Sequence, residues 1–171
     1  VYGRLRTPVI NFMQEWCGNR LGKNLTRPFI TNYHFTPELA DRLSHVLDLY
    51  EPDFKEIITL FSGLSSTLSR LERTGAVSYE DAMATGAVGM AARASGLNRD
   101  IRLSHPYGVY PRLNHVPVIK RHGDVYSRVQ VRKEEIMQSV EYIRNMIKEL
   151  PDKAEHHGPE PLPRPDMFAI S

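Results

Sequence analysis

The middle of the chain carries arginines next to a turn that could bind an anion. Arg93 and Arg102 flank a stretch rich in glycine and alanine, and Ser95 and Gly96 form a candidate turn with exposed backbone N–H groups. An arginine beside such a turn can hold an anion or the edge of a cofactor. It can equally cap the carboxyl end of a helix, and the residues by themselves favour neither role.

A polar stripe runs along the last predicted helix, beside its apolar stripe. Its members are three or four residues apart, which places them on one side of a helix. A solvated charged face is the usual explanation. The alternative is a buried arginine–carboxylate network, because a buried guanidinium without a partner costs about 3 to 5 kcal/mol. The stripe comprises Arg128, Arg132, Glu135, Ser139 and Tyr142.

Arg132 is the member of this stripe that favours the network. It lies in the apolar arc of the helix, between Val129 and Ile136, where a charged side chain needs a partner. We therefore expect a carboxylate close to it. The candidate partners are Asp100, Glu134 and Glu135.

The histidines and the cysteine give little support to metal or thiol chemistry. None of the seven histidines lies four residues from another with an intervening glutamate, the pattern of a helical zinc site. The lone cysteine, Cys17, excludes an internal disulfide and a Cys-x-x-Cys clamp within these residues, and we expect it to be a small buried hydrophobe. A remaining alternative is a free-standing helical enzyme that uses His105, His115 and His122, which would bind a divalent metal.

Two long helical patterns precede this region and must help to position it. Thr7-Pro8 predicts a helix that begins at about Pro8, because threonine is a good N-cap and proline suits the first helical position. Thr36-Pro37 repeats this signal and opens the longest apolar stripe of the chain. Pro52 lacks a backbone N–H in its middle, so we expect a break there, with Gly75 as the carboxyl-terminal stop.

The second half begins with a short helix and ends with a long one. Ser78 and Asp81 resemble a capping box, which predicts a short helix that Gly86 closes. Residues 86–122 lose helical periodicity but keep many aromatic side chains, so they are predicted to form an ordered loop region. Gly123-Asp124 then caps the last helix, which ends before Pro151. Its apolar stripe comprises Val125, Val129, Ile136, Val140, Ile143, Ile147 and Leu150.

These patterns predict a mainly α fold, a helical bundle with a long ordered loop region. The chain has 171 residues, of which 41% are hydrophobic and 25% charged, enough to bury one sizeable core. We assign residues 1–150 to the helical core and residues 151–171 to a proline-rich, extended tail.

The charge pattern argues against nucleic acid as a partner. The 22 basic and 20 acidic residues are mixed along the chain and give a net charge of +2, unlike a concentrated basic stripe. No apolar run approaches the roughly 20 residues that span a bilayer, and there is no leader-like start. Because the chain begins at Val1 without a methionine, we interpret it as an internal fragment.

Several motifs, taken in order, carry a specific resemblance. They run from residue 75 to about residue 143 almost without gaps. They are residues 75–82 (GAVSYEDA), 89–96 (GMAARASG), 100–102 (DIR), 106–110 (PYGVY), 123–128 (GDVYSR) and 132–139 (RKEEIMQS). In this combination the chain is similar to the large subunit shared by energy-converting nickel-iron hydrogenases and the quinone-site subunit of respiratory NADH dehydrogenase (complex I).

Upstream of these motifs the chain departs from the family pattern. Arg27-Pro28 resembles an Arg-Pro-Gly-Gly-Val turn near the active cavity of the family, but Phe29-Ile30 replaces the two glycines. Ala94 likewise replaces a glycine between the arginine and the serine of the second motif. The resemblance therefore implies a cavity wall of different shape.

The resemblance implies an oxidoreductase core unit on the cytoplasmic side of a membrane. Such a unit packs against an iron-sulfur small subunit and membrane-arm subunits, and it couples electron transfer to ion pumping. In the hydrogenase branch two Cys-x-x-Cys pairs hold a nickel-iron centre that acts on protons or hydrogen. In the complex I branch the cavity receives a quinone. Neither cysteine pair lies in this chain, so we expect it to hold no cofactor alone and to be inactive alone.

Resemblance and residue patterns together give a set of candidate cavity residues. No catalytic role and no metal ligand is assigned among them. The competing hypothesis is a non-catalytic helical scaffold that kept the fold and lost the chemistry, which the glycine replacements favour mildly. The candidate cofactor-binding residues are Arg20, Arg27, Arg93, Ser95, Asp100, Arg102, Asp124, Arg128, Arg132 and Glu135.

Overall fold

The chain is mainly helical, which confirms the predicted fold class. A computed structural model describes the backbone of residues 2–23, 25–27 and 30–150. The predicted extended tail at 151–171 and the side chain of Arg27 lie outside the described residues. The described elements are α1 (Tyr2–Cys17), β1 (Thr26–Arg27), β2 (Ile30–Thr31), α2 (Pro37–Gly63), α3 (Ser65–Leu71), α4 (Tyr79–Ala84), α5 (Gly89–Ala94), α6 (Ile101–Ser104), a 3-10 helix (Tyr110–Arg112) and α7 (Val125–Lys148).

The described residues divide into two compact units, one formed by those up to residue 50 together with 149–150 and the other by residues 51–148. In the first unit an aromatic cluster joins α1 to the segment that leads into α2. The ring of Trp16 meets that of Phe35 edge-on, with centroids 4.9 Å apart, and Phe12 contacts both rings. The indole N–H of Trp16 donates to the carbonyl oxygen of His34 at 3.2 Å. Aromatic packing with a satisfied indole N–H therefore fixes this connection.

Helix α1 begins earlier than predicted. It starts at Tyr2 and contains Pro8 in its interior, so the expected start at about Pro8 is wrong. The hydroxyl of Thr7 donates back to the carbonyl oxygen of Gly3 at 3.0 Å and does not cap a helix at this position. A threonine that bonds to the preceding turn is compatible with a helix interior, which the Thr-Pro signal alone cannot reveal.

Helix α2 begins where predicted but does not break at Pro52. The hydroxyl of Thr36 accepts from the backbone N–H of Leu39 at 3.3 Å, which confirms the cap. The helix then continues through Pro52 to Gly63. Proline removes one helical hydrogen bond, but Phe54 and Ile57 on the next turn are buried, and we attribute the continuity to this packing.

The core of the second unit lies where α5 contacts α4 and α7. Small side chains dominate it: Ala82 and Ala92 are fully buried together with Leu97, and Ala94 packs with Val118 and Val131. Such small residues let the helices approach closely. The core therefore forms a compact base for the segment that follows α5.

The predicted cap of α4 is confirmed, since the Ser78 hydroxyl accepts from the backbone N–H of Asp81 at 3.0 Å.

Residues 86–122, predicted to be a loop region, contain more helix than their periodicity indicates. The segment holds α5, α6 and the 3-10 helix, which are six, four and three residues long. Elements this short cannot show a repeating apolar stripe, so sequence periodicity does not detect them.

Helix α7 is capped where predicted but buries a different face. Asp124 accepts from the backbone N–H of Ser127 at 2.8 Å, which confirms the cap. Its buried residues are Ser127, Val131 and Val140, whereas Leu150 beyond its end is 41% exposed. Ser127 and Val131 are one turn apart, and Val131 packs with Ala94 at the end of α5. The predicted stripe is therefore only partly the packed face.

Within the described ranges, no helix combines the length and apolar character needed to cross a lipid bilayer.

Candidate functional site

Four charged side chains from consecutive short elements and α7 meet in the second unit. Arg93 lies on the last turn of α5, and Glu135 lies in the middle of α7. Asp100 precedes α6 with an extended backbone, and its carboxylate accepts from the backbone N–H of Arg102 at 3.0 Å. Asp100 therefore caps α6 and at the same time directs its carboxylate to the arginines.

These side chains form one hydrogen-bonded ion network. The guanidinium of Arg102 binds both oxygens of Asp100, with Nε–Oδ1 at 2.8 Å and Nη2–Oδ2 at 2.6 Å. Glu135 Oε1 accepts from Arg93 Nη2 at 2.7 Å and from Arg102 Nη2 at 2.5 Å. Arg93 Nη1 lies 3.6 Å from Asp100 Oδ2. Two arginines and two carboxylates thus balance each other in charge.

Burial makes this pairing necessary. The side chains of Arg93 and Asp100 are only 8% and 2% exposed, and those of Arg102 and Glu135 are about one fifth exposed. A charge removed from water to this degree destabilises the fold unless a partner compensates it. The network hypothesis is therefore confirmed for Asp100 and Glu135, although their partners are Arg93 and Arg102.

The ionisation of the network follows from its contacts. Burial by itself would raise the pKa of Asp100, but hydrogen bonds from Arg102 and His115 outweigh it and hold that pKa well below its usual range. Hydrogen bonding to Asp100, and then to Glu135, raises the pKa of Arg102 above its usual value despite the opposing effect of burial. Both groups therefore remain charged at any physiological pH.

His115 and Tyr142 extend the network; Tyr142 belongs to the polar stripe identified in the sequence, whereas His115 was considered there only as a metal ligand. His115 Nε2 lies 3.0 Å from Asp100 Oδ2, and its Nδ1 lies 3.0 Å from the Tyr142 hydroxyl. The His115 side chain is only 1% exposed. Burial is the main cause that raises the pKa of Tyr142. The spacing of Tyr142, two turns after Glu135, was a usable signal, but nothing in the loop sequence around His115 marked it.

Asp124 and Arg128 brace the loops that support the network. The carboxylate of Asp124 accepts from the backbone N–H groups of Arg73 and Ser127 at 2.9 and 2.8 Å. These bonds outweigh the effect of burial and lower the pKa of Asp124. Arg128 Nη2 donates to the carbonyl oxygens of Gly75 and Gly123 at 2.6 and 2.8 Å. Their predicted cofactor contacts stay predictions, whereas their structural contacts are clear.

The remaining candidates lie elsewhere. Ser95 is buried, and its hydroxyl has no hydrogen-bond partner among the residues described. Arg132 is exposed, so the expectation that it joins a buried network is wrong, because the face that packs on α5 is the one that carries Val131 and Glu135. Arg20 is exposed in a turn of the first unit.

A surface cleft adjoins the network. Its volume is about 730 Å³, and its lining includes Arg93, Arg99, Asp100 and Arg102. Small-molecule sites commonly occupy roughly 300 to 1,000 Å³, so the cleft is large enough for a ligand.

The residues of this chain do not fit a nickel-iron centre. The implied centre needs two Cys-x-x-Cys pairs, and the only cysteine of the sequence is Cys17, which is buried and whose thiol contacts the Met13 carbonyl oxygen at 3.1 Å. No group of three or more metal-ligating side chains is assembled within the described ranges.

Comparison with known proteins identifies the relatives of the chain. Residues 2–167 match the family described as respiratory-chain NADH dehydrogenase, 49 Kd subunit. An NADH-quinone oxidoreductase subunit of Flavobacterium johnsoniae is 31% identical over 96% of this chain and 41% of the relative. The carbon monoxide-induced hydrogenase of Rhodospirillum rubrum is 38% identical over 67% of this chain and 32% of the relative. The chain thus spans less than half the length of these relatives.

A solved structure shares the fold. A chain from the membrane-bound sulfane sulfur reductase, an archaeal respiratory membrane complex, superposes with a TM-score of 0.82 at 23% identity, over 90% of this chain and 41% of that one. This chain therefore has the fold of part of that chain.

Proposed function

Because the chain belongs to the family of the 49 Kd subunit of respiratory-chain NADH dehydrogenase, we propose that it forms the helical, charge-holding part of an oxidoreductase large subunit in a membrane-bound complex. The observation that carries this proposal is the buried network of Arg93, Asp100, Arg102 and Glu135. The function that this network supports best is to hold charges at fixed positions beside a redox cavity.

The physical basis is preorganisation. A redox reaction changes the charge on its cofactor or substrate, and dipoles and ions that are already fixed stabilise the new charge without a reorganisation cost. The network fulfils this condition because the hydrogen bonds of Glu135 to Arg93 and Arg102, at 2.7 and 2.5 Å, connect α7 with the α5–α6 segment. Short charge-assisted bonds of this type are about twice as strong as neutral ones.

The relatives suggest two forms of the reaction. One group is named for NADH–quinone oxidoreduction and another for a carbon monoxide-induced hydrogenase. In a quinone-type subunit a quinone accepts electrons, and in a hydrogenase-type subunit a nickel-iron centre supplies proton or hydrogen chemistry through thiolates that this chain does not contain. In both forms we propose electron transfer coupled to ion movement.

The proposed setting is a peripheral position on the cytoplasmic side of the membrane. There the chain would contact an iron-sulfur small subunit and the membrane-arm subunits. The support for membrane-arm partners is the likeness in fold to a chain of a respiratory membrane complex.

The test is purification of the protein, in the form its gene encodes, from detergent-solubilised membranes of its own host. We expect a complex that contains an iron-sulfur protein and membrane subunits, with either NADH–quinone reductase or hydrogen-dependent dye-reduction activity. Nickel analysis by plasma mass spectrometry separates the two forms. Recovery of the protein alone from the soluble fraction, without either activity, would overturn the proposal and leave the non-catalytic scaffold.

A charge-specific variant links the network to that activity. Glu135→Gln removes the carboxylate shared by both arginines, whereas Glu134→Gln removes only a partly exposed partner of Lys120. With both variants assembled to the wild-type level, we expect activity per complex to fall at least about tenfold for Glu135→Gln, which corresponds to about 1.4 kcal/mol of barrier. Equal activities of the two variants would contradict a role for the network.

A further inference from the structure

The cleft beside the network has an excess of positive charge. Among its charged lining residues, three arginines face one carboxylate, that of Asp100. Taken with Glu135, which binds Arg93 and Arg102 from outside the lining, the three arginines and two carboxylates leave a net charge of 3 − 2 = +1. The network already balances Arg93 and Arg102 with Asp100 and Glu135, but Glu135 does not line the cleft.

Arg99 is the lining residue whose charge is not offset by a carboxylate in the part of the chain that the structure describes. Its Nη1 donates to the carbonyl oxygen of Ala87 at 3.2 Å, and its Nη2 lies 3.4 Å from the sulfur of Met83. Both acceptors are neutral, and no acidic side chain within the described ranges forms an ion pair with Arg99. The guanidinium is therefore held in place while its charge remains available to a ligand.

Further donors lie on the same lining. Arg102 uses Nε and Nη2 on carboxylates, and no described residue accepts from its Nη1. Ser104 and His105 contact each other at 3.1 Å between Oγ and Nδ1, and both line the cleft. A planar guanidinium with free N–H groups binds oxyanions well, often through two parallel hydrogen bonds.

Another part of the cleft lining is formed by exposed apolar side chains. Val88 is 72% exposed, and Ile101 and Tyr107 are 41% and 51% exposed. These side chains would lose contact with water if an apolar group covered them, and the hydrophobic effect favours that burial. A ligand that satisfies the whole cleft therefore combines an anionic end with an apolar body.

We propose that this cleft binds a phosphate monoester that carries an apolar group. Such an ester has a charge of about −1.5 to −2 near pH 7, and Arg99 offers it a positive charge that no carboxylate in the described ranges balances. The same chemistry occurs in a soluble phosphate ester and in the headgroup of phosphatidic acid. The inference stands on the cleft itself and does not depend on the redox role proposed for the network.

The test uses phenyl phosphate as the soluble probe and the full chain labelled with ¹⁵N. Chemical-shift titration should show saturable binding, with the side-chain Nε–H signals of Arg99 and Arg102 moving and that of Arg112 unchanged. Arg112 is the matched control because it is exposed and lies outside the cleft lining. Inorganic phosphate should bind more weakly, since it cannot cover the apolar walls.

Variants separate a built site from general charge attraction. Arg99→Gln should weaken phenyl phosphate binding about tenfold, whereas Arg112→Gln, with the same loss of charge, should change it less than about twofold. Arg99→Lys should recover part of the affinity because it restores the charge without the fork. Circular dichroism verifies that each variant keeps its helices. If Arg99→Gln loses its helices, the titration of the wild-type chain with phenyl phosphate still decides the proposal.

Vesicles distinguish the two sources of the phosphate. Co-sedimentation with vesicles of phosphatidic acid, but not of phosphatidylcholine, and its loss in Arg99→Gln would identify the lipid headgroup. Binding of phenyl phosphate without vesicle binding would identify a soluble ester. Absence of saturable binding to either probe, or equal weakening by Arg99→Gln and Arg112→Gln, would overturn the proposal.

Discussion

Removal of the charge of Glu135 is the most informative perturbation of the fold. Its Oε1 accepts from Arg93 at 2.7 Å and from Arg102 at 2.5 Å, so Glu135→Gln leaves two arginines with one carboxylate. Arg93 would retain only Asp100, at 3.6 Å. Because Arg93 is buried, we expect the free energy of unfolding to fall by about 3 kcal/mol, within the range for breaking a buried pair.

The neighbouring residue supplies the control. Glu134 pairs with Lys120 at 2.6 Å, but these side chains are 42% and 32% exposed, so Glu134→Gln should cost about 0 to 1 kcal/mol. The two variants differ by one position and remove the same charge. Urea denaturation of the full chain, followed by circular dichroism at 222 nm, compares them.

A double-mutant cycle identifies the cause of the loss. Arg93→Gln, introduced into the wild type and into Glu135→Gln, should yield a coupling energy of about 1 to 3 kcal/mol. A coupling energy near zero, or equal destabilisation by Glu134→Gln and Glu135→Gln, would refute the argument that the network holds this region together.

Three further changes test separate parts of the structure. Gly123→Ala places a Cβ against the backbone carbonyl oxygen of Val77 at φ +64°, so we expect a melting temperature far below that of Gly86→Ala, which has φ +65° and open space. The depressed pKa of Asp100 means that its contribution to stability is present above its unfolded pKa of about 3.9 and is lost as pH falls below it. Asp100→Asn should therefore flatten the dependence of unfolding free energy on pH in that acidic range. Tyr142→Phe removes the hydroxyl that meets His115 at 3.0 Å and should cost about 1 kcal/mol in urea denaturation.

Specific results would contradict these three predictions. Equal melting temperatures for the two glycine variants would exclude the backbone clash. An acid-induced loss of stability that is the same in Asp100→Asn and the wild type would assign that loss to other carboxylates. An unchanged unfolding free energy in Tyr142→Phe would mean that water replaces the hydroxyl without cost.

Local signals in the sequence predicted the helix caps well. The caps at Thr36, Ser78 and Asp124 are all present, because each depends on one side chain and a backbone N–H three residues away. The proline signals failed at Pro8 and Pro52, both of which lie inside helices. Whether a proline ends a helix depends on the packing around it, which is not a local property.

The candidate site was predicted in composition but not in pairing. Asp100 and Glu135 were named as partners of a buried arginine, and both are, yet the buried arginines are Arg93 and Arg102 while Arg132 is exposed. Helical spacing fixes which residues share a face of α7. It does not fix which face meets α5, because that depends on small residues such as Ala94 that allow close approach.

Residue types and near neighbours were enough to establish the helical class, the main caps, the family resemblance and the lack of a cysteine set for nickel. Each of these follows from the order of residues along the chain, without knowledge of which distant residues come into contact. Folding was needed to bring His115 and Tyr142 into the network and to place Arg99 on the cleft without a carboxylate partner among the described residues. His115 is 15 residues from Asp100 and 27 from Tyr142, and such contacts form only when the loop folds between α6 and α7.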